Sequence, residues 1–525
     1  MRCDKNGNVK RKSKGMKHSS STRILSPLAF LILAVLACQF MPTQTPASET
    51  PPTKVPATES VSPTKEPTNE PAEETVDPSA GSSGLGDSRY PEFGNGGYDA
   101  QTYTLDITVN DVTSSDLTAT TTIEATAAQA LSRFNLDFAG FEITSLMVND
   151  EAAEFERIGQ ELTVIPAQPL ENGEKFIVSI SYEGIPDAMQ SQALPFPTGW
   201  IVYENGIFVL SEPDGSASFY PVNDHPLDKA LYTIIVTVPK PYEVAANGIL
   251  EETTDNGQSV TYHFKVRDPM ASYLTTINVT DFDQETMESD GGVPIRNYYA
   301  ASLPDNIRKP FARQGEMIDY FSEIFGPYPF EVYGALVMDT EFGAALENQT
   351  MSIFGVDMVD ANDIEGTESV VAHELTHQWF GDSISVADWG DIWLNEGFAT
   401  YGEALWVEYD YGEAGLKQWA EDIYNEVKSY PDFYPPPGAP AANNLFNGGV
   451  YLRGGLTLQA LRSNVGDEAF FEILHTYYDR YKYGNATTED FIAVAEDISG
   501  TDLGNFFDAW LYDEQLPPIP ELNLQ

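Results

Sequence analysis

The segment His373-Glu374-Leu375-Thr376-His377 concentrates more chemistry than any other five residues of the chain. On a helix, residues four apart stack one turn above each other, so both imidazoles face one side and can take two corners of a zinc tetrahedron. Glu374 stands beside them, where its carboxylate reaches the open metal position, takes the proton of a water there and passes it to a leaving amine. A third ligand is needed. Glu396 follows His377 after eighteen residues, within Trp393-Leu394-Asn395-Glu396-Gly397-Phe398-Ala399-Thr400-Tyr401, and a helix–loop–helix can return its carboxylate to the metal. Two imidazoles, one carboxylate and an open fourth position make a catalytic zinc site. The only cysteines are Cys3 and Cys38, so a metal in the folded part is held by nitrogen and oxygen.

Those residues need a scaffold, and the period of the apolar residues changes along the chain. Tyr103-Thr104-Leu105-Asp106-Ile107-Thr108-Val109 alternates apolar and polar, and similar segments recur at 175–182, 201–210, 231–238 and 273–279, separated by turn signals such as Glu171-Asn172-Gly173 and Asp255-Asn256-Gly257. Residues 90–290 are therefore expected to form an all-β domain. Beyond that the period is helical, at 306–325, 368–381, 392–409, 416–429, 452–464, 468–481, 488–498 and 503–512, with a short sheet expected from 333–338 and 351–354. Residues 291–525 are read as a mainly helical catalytic domain, with a cleft between the two.

Before residue 90 the chain has a different character. Eight basic residues between Arg2 and Arg23 precede an apolar run at 28–37 that is too short to span a bilayer comfortably, so residues 1–37 are read as an export signal. The run ends Val35-Leu36-Ala37-Cys38, which resembles a bacterial lipoprotein box with cleavage after Ala37 and a lipid on Cys38. From residue 38 to 89, Thr, Pro, Ser and Glu dominate. Such a segment buries too little to offset its ordering entropy and is expected to be a disordered stalk between membrane and enzyme.

A chain of 525 residues, 42% hydrophobic and 12% aromatic, can bury a large core in two or three units, which rules out disorder throughout. Its 80 acidic residues against 28 basic ones give a formal charge of −52. That field repels phosphate and excludes nucleic acid and anionic lipid headgroups as partners.

The metal motif and its flanks, Gln378-Trp379-Phe380-Gly381-Asp382 and the Trp-Leu-Asn-Glu-Gly-Phe-Ala segment, resemble the gluzincin metallopeptidases. The eighteen-residue interval is similar to that of the zinc aminopeptidase N family. The resemblance covers about 430 residues, from Tyr90 to the end, and implies a saddle-like N-terminal β domain and a thermolysin-like catalytic domain, in a short form without the C-terminal helical domain of larger members. It also implies further site residues. Ala344-Ala345-Leu346-Glu347-Asn348 stands where the family carries Gly-Ala-Met-Glu-Asn, so Glu347 would grip the substrate's α-amine, with Ala344, Ala345 and Asn348 beside it. Glu212, ahead of Phe219-Tyr220-Pro221, would be a second amine-binding carboxylate. Where the family has Asp-Glu-Pro this chain has Asp224-His225-Pro226, and His225 is read as structural, as are His263 and His475. Tyr451, followed by Arg453 where the family has Lys, would hydrogen-bond the oxyanion of the tetrahedral intermediate. Asp382 and Glu403 are each open between partnering a ligating histidine and a capping or solvated role.

A charge argument supports the two glutamates independently, because a cleft that takes an ammonium out of water must return charge-assisted hydrogen bonds. The expected function is a zinc aminopeptidase tethered outside a bacterial membrane, acting on peptides with a free N-terminal amine. The alternatives are a zinc endopeptidase with an open cleft and a catalytically inactive surface binding module.

Overall fold

The computed structural model of the protein describes residues 80–525. The export signal expected at 1–37, Cys38 and the stalk up to residue 79 lie outside the described residues. Among the described residues no helix is long and apolar enough to cross a membrane.

Alternation builds the first layer. Tyr98–Asp111 buries Tyr103, Leu105, Ile107 and Val109 on one face while Asp106 faces solvent. It pairs antiparallel with Asp116–Ala127 and parallel with Leu231–Pro239 at the centre of an eight-stranded sheet. A second sheet of five strands contains Gly206–Leu210, buried at all five positions, which delivers the chain to Glu212. The segment expected as one strand over 201–210 is a hairpin, Pro197–Tyr203 with Gly206–Leu210, turning at Glu204-Asn205. The expected strand at 273–279 opens as a 3-10 turn, Ser272–Leu274, and becomes extended at Ile277–Thr280.

Two domain limits differ from expectation. Phe282–Glu288 pairs along its whole length with Pro294–Ala300 in the catalytic sheet, so the boundary falls near residue 281 rather than 290. A β domain that runs straight into a mixed sheet leaves no change of period to mark the border. The stalk likewise ends early: Ala80 bridges Arg133, Gly81 N donates to Arg133 O at 2.9 Å, and residues 80–89 lie against both domains. Among their polar side chains, which read as disorder, Asp87 and Ser88 make hydrogen bonds to residues far along the chain, His225, Asp388 and Trp389.

In the catalytic domain the sheet Phe282–Glu288, Pro294–Ala300, Ala335–Val337, Ser352–Phe354 and Ala345–Leu346 is accompanied by helices, the first of them inserted before Ala335–Val337. These are α1 (Gln314–Phe325), α2 (Ile364–His377), α3 (Trp393–Tyr411), α4 (Glu413–Ser429), α5 (Gly454–Val465), α6 (Asp467–Tyr481), α7 (Thr488–Ser499) and α8 (Gly504–Leu511). The first is shorter than expected because Asp305–Phe311, which contains Pro310, coils as a 3-10 turn. Helix α2 is displaced four residues toward the N-terminus. Asp363 caps it by accepting from Gly366 N at 3.2 Å, and it ends at His377. Helix α3 packs closely on α2 because Gly402 has no Cβ; one built there would stand 2.0 Å from Thr376 Oγ1.

Candidate active site

Every residue of α2 from Gly366 to His377 is buried, as are the first fourteen of α3. The facing sides of these helices bring the metal motif together. His373 Nε2 lies 3.3 Å, and His377 Nε2 3.5 Å, from Glu396 Oε2. A tetrahedral zinc with bonds of about 2.0–2.1 Å has ligand-to-ligand edges of about 3.4 Å, so these three donors fit that ion. They form a group suited to a metal, with ligand atoms within 4.8 Å of one another.

The remaining ring nitrogens are fixed from behind, as a ligating imidazole requires. Glu403, two turns after Glu396 on the same face of α3, places Oε1 2.9 Å from His373 Nδ1 while its Oε2 accepts from Ser369 Oγ at 2.7 Å. His377 Nδ1 lies 3.2 Å from Phe380 O. Of the two open assignments, Glu403 thus partners a ligand and Asp382 does not. The Asp382 carboxyl is fully buried with no hydrogen bond among the described residues, and burial, followed by the nearby Glu347, pushes its pKa well up. Only its backbone N–H serves the helix end, donating to His377 O at 3.0 Å.

Charges decide protonation here. Burial pushes the Glu374 carboxyl up to about 8, with the two imidazoles opposing. Glu396 behaves differently: burial raises it, but His377 and His373 outweigh burial and hold it below the ordinary range. Burial pulls His373 down, while Glu396 and Glu403 more than restore it and hold the imidazole well above its ordinary value. A dication entering this cluster therefore displaces protons that the same carboxylates stabilise.

The cleft in front of the triad is lined by Glu374, Glu212, Glu347, Ala344, Ala345 and Tyr451 together with His373, His377, Glu396 and Glu403. Glu347 follows the edge strand Ala345–Leu346, and its Oε1 lies 4.0 Å from His377 Nδ1. The Oε1 atoms of both Glu212 and Glu347 are buried without a hydrogen bond among the described residues. Burial raises both groups; Glu212 is raised further by Glu347 beside it. Asn348 departs from expectation. It is absent from the cleft lining, and its amide donates to Leu274 O of the β domain at 3.1 Å.

Tyr451 sits on a π-helical turn, Gly449–Arg453, with its ring 6.0 Å from that of His373. Arg453 explains why this turn holds its place: buried, it donates to Trp510 O at 2.9 Å, Ala509 O at 3.1 Å and Asp513 O at the end of α8. The planar fork serves three carbonyls, which a single ammonium at that spot would not match. The turn leads into α5, whose first residue, Gly454, meets Gly397 so closely that a Cβ on Gly397 would lie 2.9 Å from Gly454 Cα. That contact holds the turn carrying Tyr451 against α3, the helix carrying Glu396. As expected, His225, His263 and His475 lie outside the cleft lining.

Several site residues carried no readable signal. The apolar wall of Leu194, Phe196, Leu210, Met358, Val370 and Phe446 comes from five separate stretches of chain. Gln378 holds the loop behind Glu347, donating to Glu347 O at 2.8 Å and accepting from Thr350 N at 2.8 Å. Its position next to His377 was the only hint.

A buried His2Glu triad on two packed helices, with a carboxylate beside it and a cleft in front, defines a zinc metallopeptidase of the gluzincin class. Residues 310–510 match the Peptidase family M1 domain and residues 99–274 the Peptidase M1 N-terminal domain. The M1 zinc metallopeptidase of Deinococcus radiodurans, a crystal structure, is 34% identical with a TM-score of 0.76, over 83% of this chain and 98% of that one. This chain belongs to peptidase family M1. A variant of the Deinococcus enzyme bound to a Tyr-Ser-Ala substrate is 33% identical, also with a TM-score of 0.76, over 83% of this chain and 99% of that one. Aminopeptidase N of Streptomyces lividans is 30% identical over 308 residues, 54% of this chain and 35% of that protein. The glutamyl aminopeptidase of Bos taurus is 29% identical over 340 residues, 60% of this chain and 35% of its own. This chain thus spans about a third of the length of these curated relatives.

Proposed function

We propose that the protein removes single residues from the N-terminus of peptides. The observation that carries this reading is the pair of buried carboxylate oxygens of Glu212 and Glu347 beside the triad, which accept no hydrogen bond among the described residues. An α-ammonium held by both places the first peptide carbonyl at the metal, so the position of the amine selects the bond.

His373, His377 and Glu396 would hold zinc, which when bound supplies a Lewis acid that polarises the scissile carbonyl and acidifies water. Glu374 accepts the proton of the attacking water and returns it to the departing nitrogen. Tyr451 donates its phenolic hydrogen to the carbonyl oxygen as charge gathers there. The protein should release residues one at a time from a free peptide, and Tyr451→Phe should lower kcat by about 10²–10³ with KM little changed. Steady-state kinetics on a fluorogenic aminoacyl substrate decides this: near-normal kcat removes Tyr451 from the mechanism, and internal cleavage of long peptides replaces the exopeptidase reading with the endopeptidase one.

We also propose that the enzyme is held outside a bacterial membrane by a lipid on Cys38. The short apolar run, the Leu-Ala-Cys ending and the polar stretch after it support this. Cys38→Ser should move the protein to the soluble fraction; retention in membranes with residues 1–37 intact contradicts it.

A further inference from the structure

The connection between α2 and α3, residues 378–392, carries no metal ligand, yet it joins His377 to Glu396 and so governs their separation. Its two ends are tied to these ligands. At the first, Phe380 O meets His377 Nδ1 at 3.2 Å and Asp382 N donates to His377 O at 3.0 Å. At the second, Ile392 N donates to Trp389 O at 3.3 Å, and Ile392 O accepts Glu396 N at 3.1 Å.

The same two ends are gripped from the other direction, by residues outside the catalytic domain. Lys229 of the β domain donates through Nζ to Asp382 O at 2.8 Å and Ser383 O at 3.0 Å, and Tyr273 OH donates to Gly381 O at 3.4 Å. Three consecutive carbonyls are thus held by two side chains. At the far end Asp87 accepts Trp389 N at 2.7 Å, and Ser88 N donates to Asp388 at 2.8 Å. Asp87 is itself anchored to the β domain. Leu227 N donates to His225 Nδ1 at 3.1 Å, which leaves the imidazole proton on Nε2, 3.3 Å from Asp87 Oδ2. Tyr273 spans both ends, since its ring also lies edge-on to Trp389 with centroids 5.4 Å apart.

Lys229 is an unusual choice for a merely structural contact. Its side chain is half-buried at the domain interface and makes no ion pair within 4.0 Å among the described residues; the buried Asp382 carboxyl acts on it from farther off, and its hydrogen bonds go to backbone carbonyls. Withdrawing an ammonium from water without a direct carboxylate contact carries a cost that a structural apolar side chain would avoid. Its donors, however, fix the loop that orients His377.

We propose that Lys229 and Asp87 are positioning residues for the metal centre, through which the β domain and the segment before it set the placement of His377 relative to Glu396. The inference rests on the reading of His373, His377 and Glu396 as the ligands, and it makes zinc affinity partly a property of the β domain.

Purified full-length protein tests this by zinc competition against a chromogenic chelator, with unfolding temperature measured in parallel. Lys229→Met keeps the stem and removes the donors; it should weaken zinc binding about 10–100-fold and lower kcat more than it changes KM. Lys229→Arg, which keeps donors for two carbonyls, should recover most of the affinity, and Asp87→Ala should weaken zinc from the other end of the connection. Val236→Ala truncates the core of the eight-stranded sheet away from the connection. It should lower the unfolding temperature and leave zinc affinity unchanged. The proposal is overturned if Lys229→Met and Asp87→Ala bind zinc within about twofold of the parent, or if Val236→Ala weakens zinc as much as they do. Should Lys229→Met fail to fold, Asp87→Ala is read by the same criterion. A separate control guards the underlying reading: Glu396→Ala with full zinc content means that the ligand assignment itself is wrong, whatever Lys229 does.

Discussion

Glu374→Gln should retain zinc and lose about 10²–10⁴ of its turnover. The amide occupies the same buried position beside the triad, so neither the packing of α2 on α3 nor the ligand set changes. What changes is basicity, because an amide oxygen cannot take the water's proton. Burial, opposed by His373 and His377, pushes the carboxyl up to about 8. A bound dication pulls it back toward the ionised form, so the resting enzyme holds a base of useful strength next to the carbonyl. Metal analysis and kcat on one preparation check the prediction. Near-normal kcat contradicts it, and loss of zinc with the activity would make Glu374 a ligand instead.

The second large effect is expected at the amine site. Each charge-assisted contact to an ammonium contributes roughly 1.5–3 kcal/mol, so Glu212→Gln together with Glu347→Gln should reduce kcat/KM on free aminoacyl substrates by about 10²–10⁴. The single variants should each show part of that loss, and not additively, because the two carboxylates share one charge and repel each other when it is absent. Removing either one relieves that repulsion in the free enzyme. Full activity in the double variant would show that these buried acids serve another purpose.

The sequence disclosed the site unevenly, for physical reasons. The ligands were readable because metal coordination fixes both residue type and helical spacing, and Glu396 was readable through its interval from His377. Glu212, Glu347 and Tyr451 were located by family resemblance, since one carboxylate among 80 acids or one phenol among 27 tyrosines has no local signature. For Asn348 the motif named a neighbour of Glu347 without saying where its side chain goes, and its amide meets Leu274 O. Strands were legible where one face is buried, as at Tyr98–Asp111, and merged where a turn signal stood inside an apolar run and was passed over, as at Glu204-Asn205-Gly206, the tripeptide that also occurs at 171–173. Residues 80–89 were hidden by composition: their order comes from distant partners, such as Asp388 for Ser88 and Trp389 for Asp87, that no local pattern announces. Arg453 was noted only as a substitution for Lys, because its value lies in carbonyls more than fifty residues away.

The most direct test of the central claim pairs one peptide with its N-acetylated form. Acetylation removes the ammonium that Glu212 and Glu347 are proposed to hold and adds bulk where it would sit. With the zinc enzyme, the free peptide should lose its first residue while the blocked one is cleaved about 10²–10⁴ more slowly in kcat/KM, at no internal bond. Comparable rates on the two, or internal cleavage of the blocked peptide, would contradict the account.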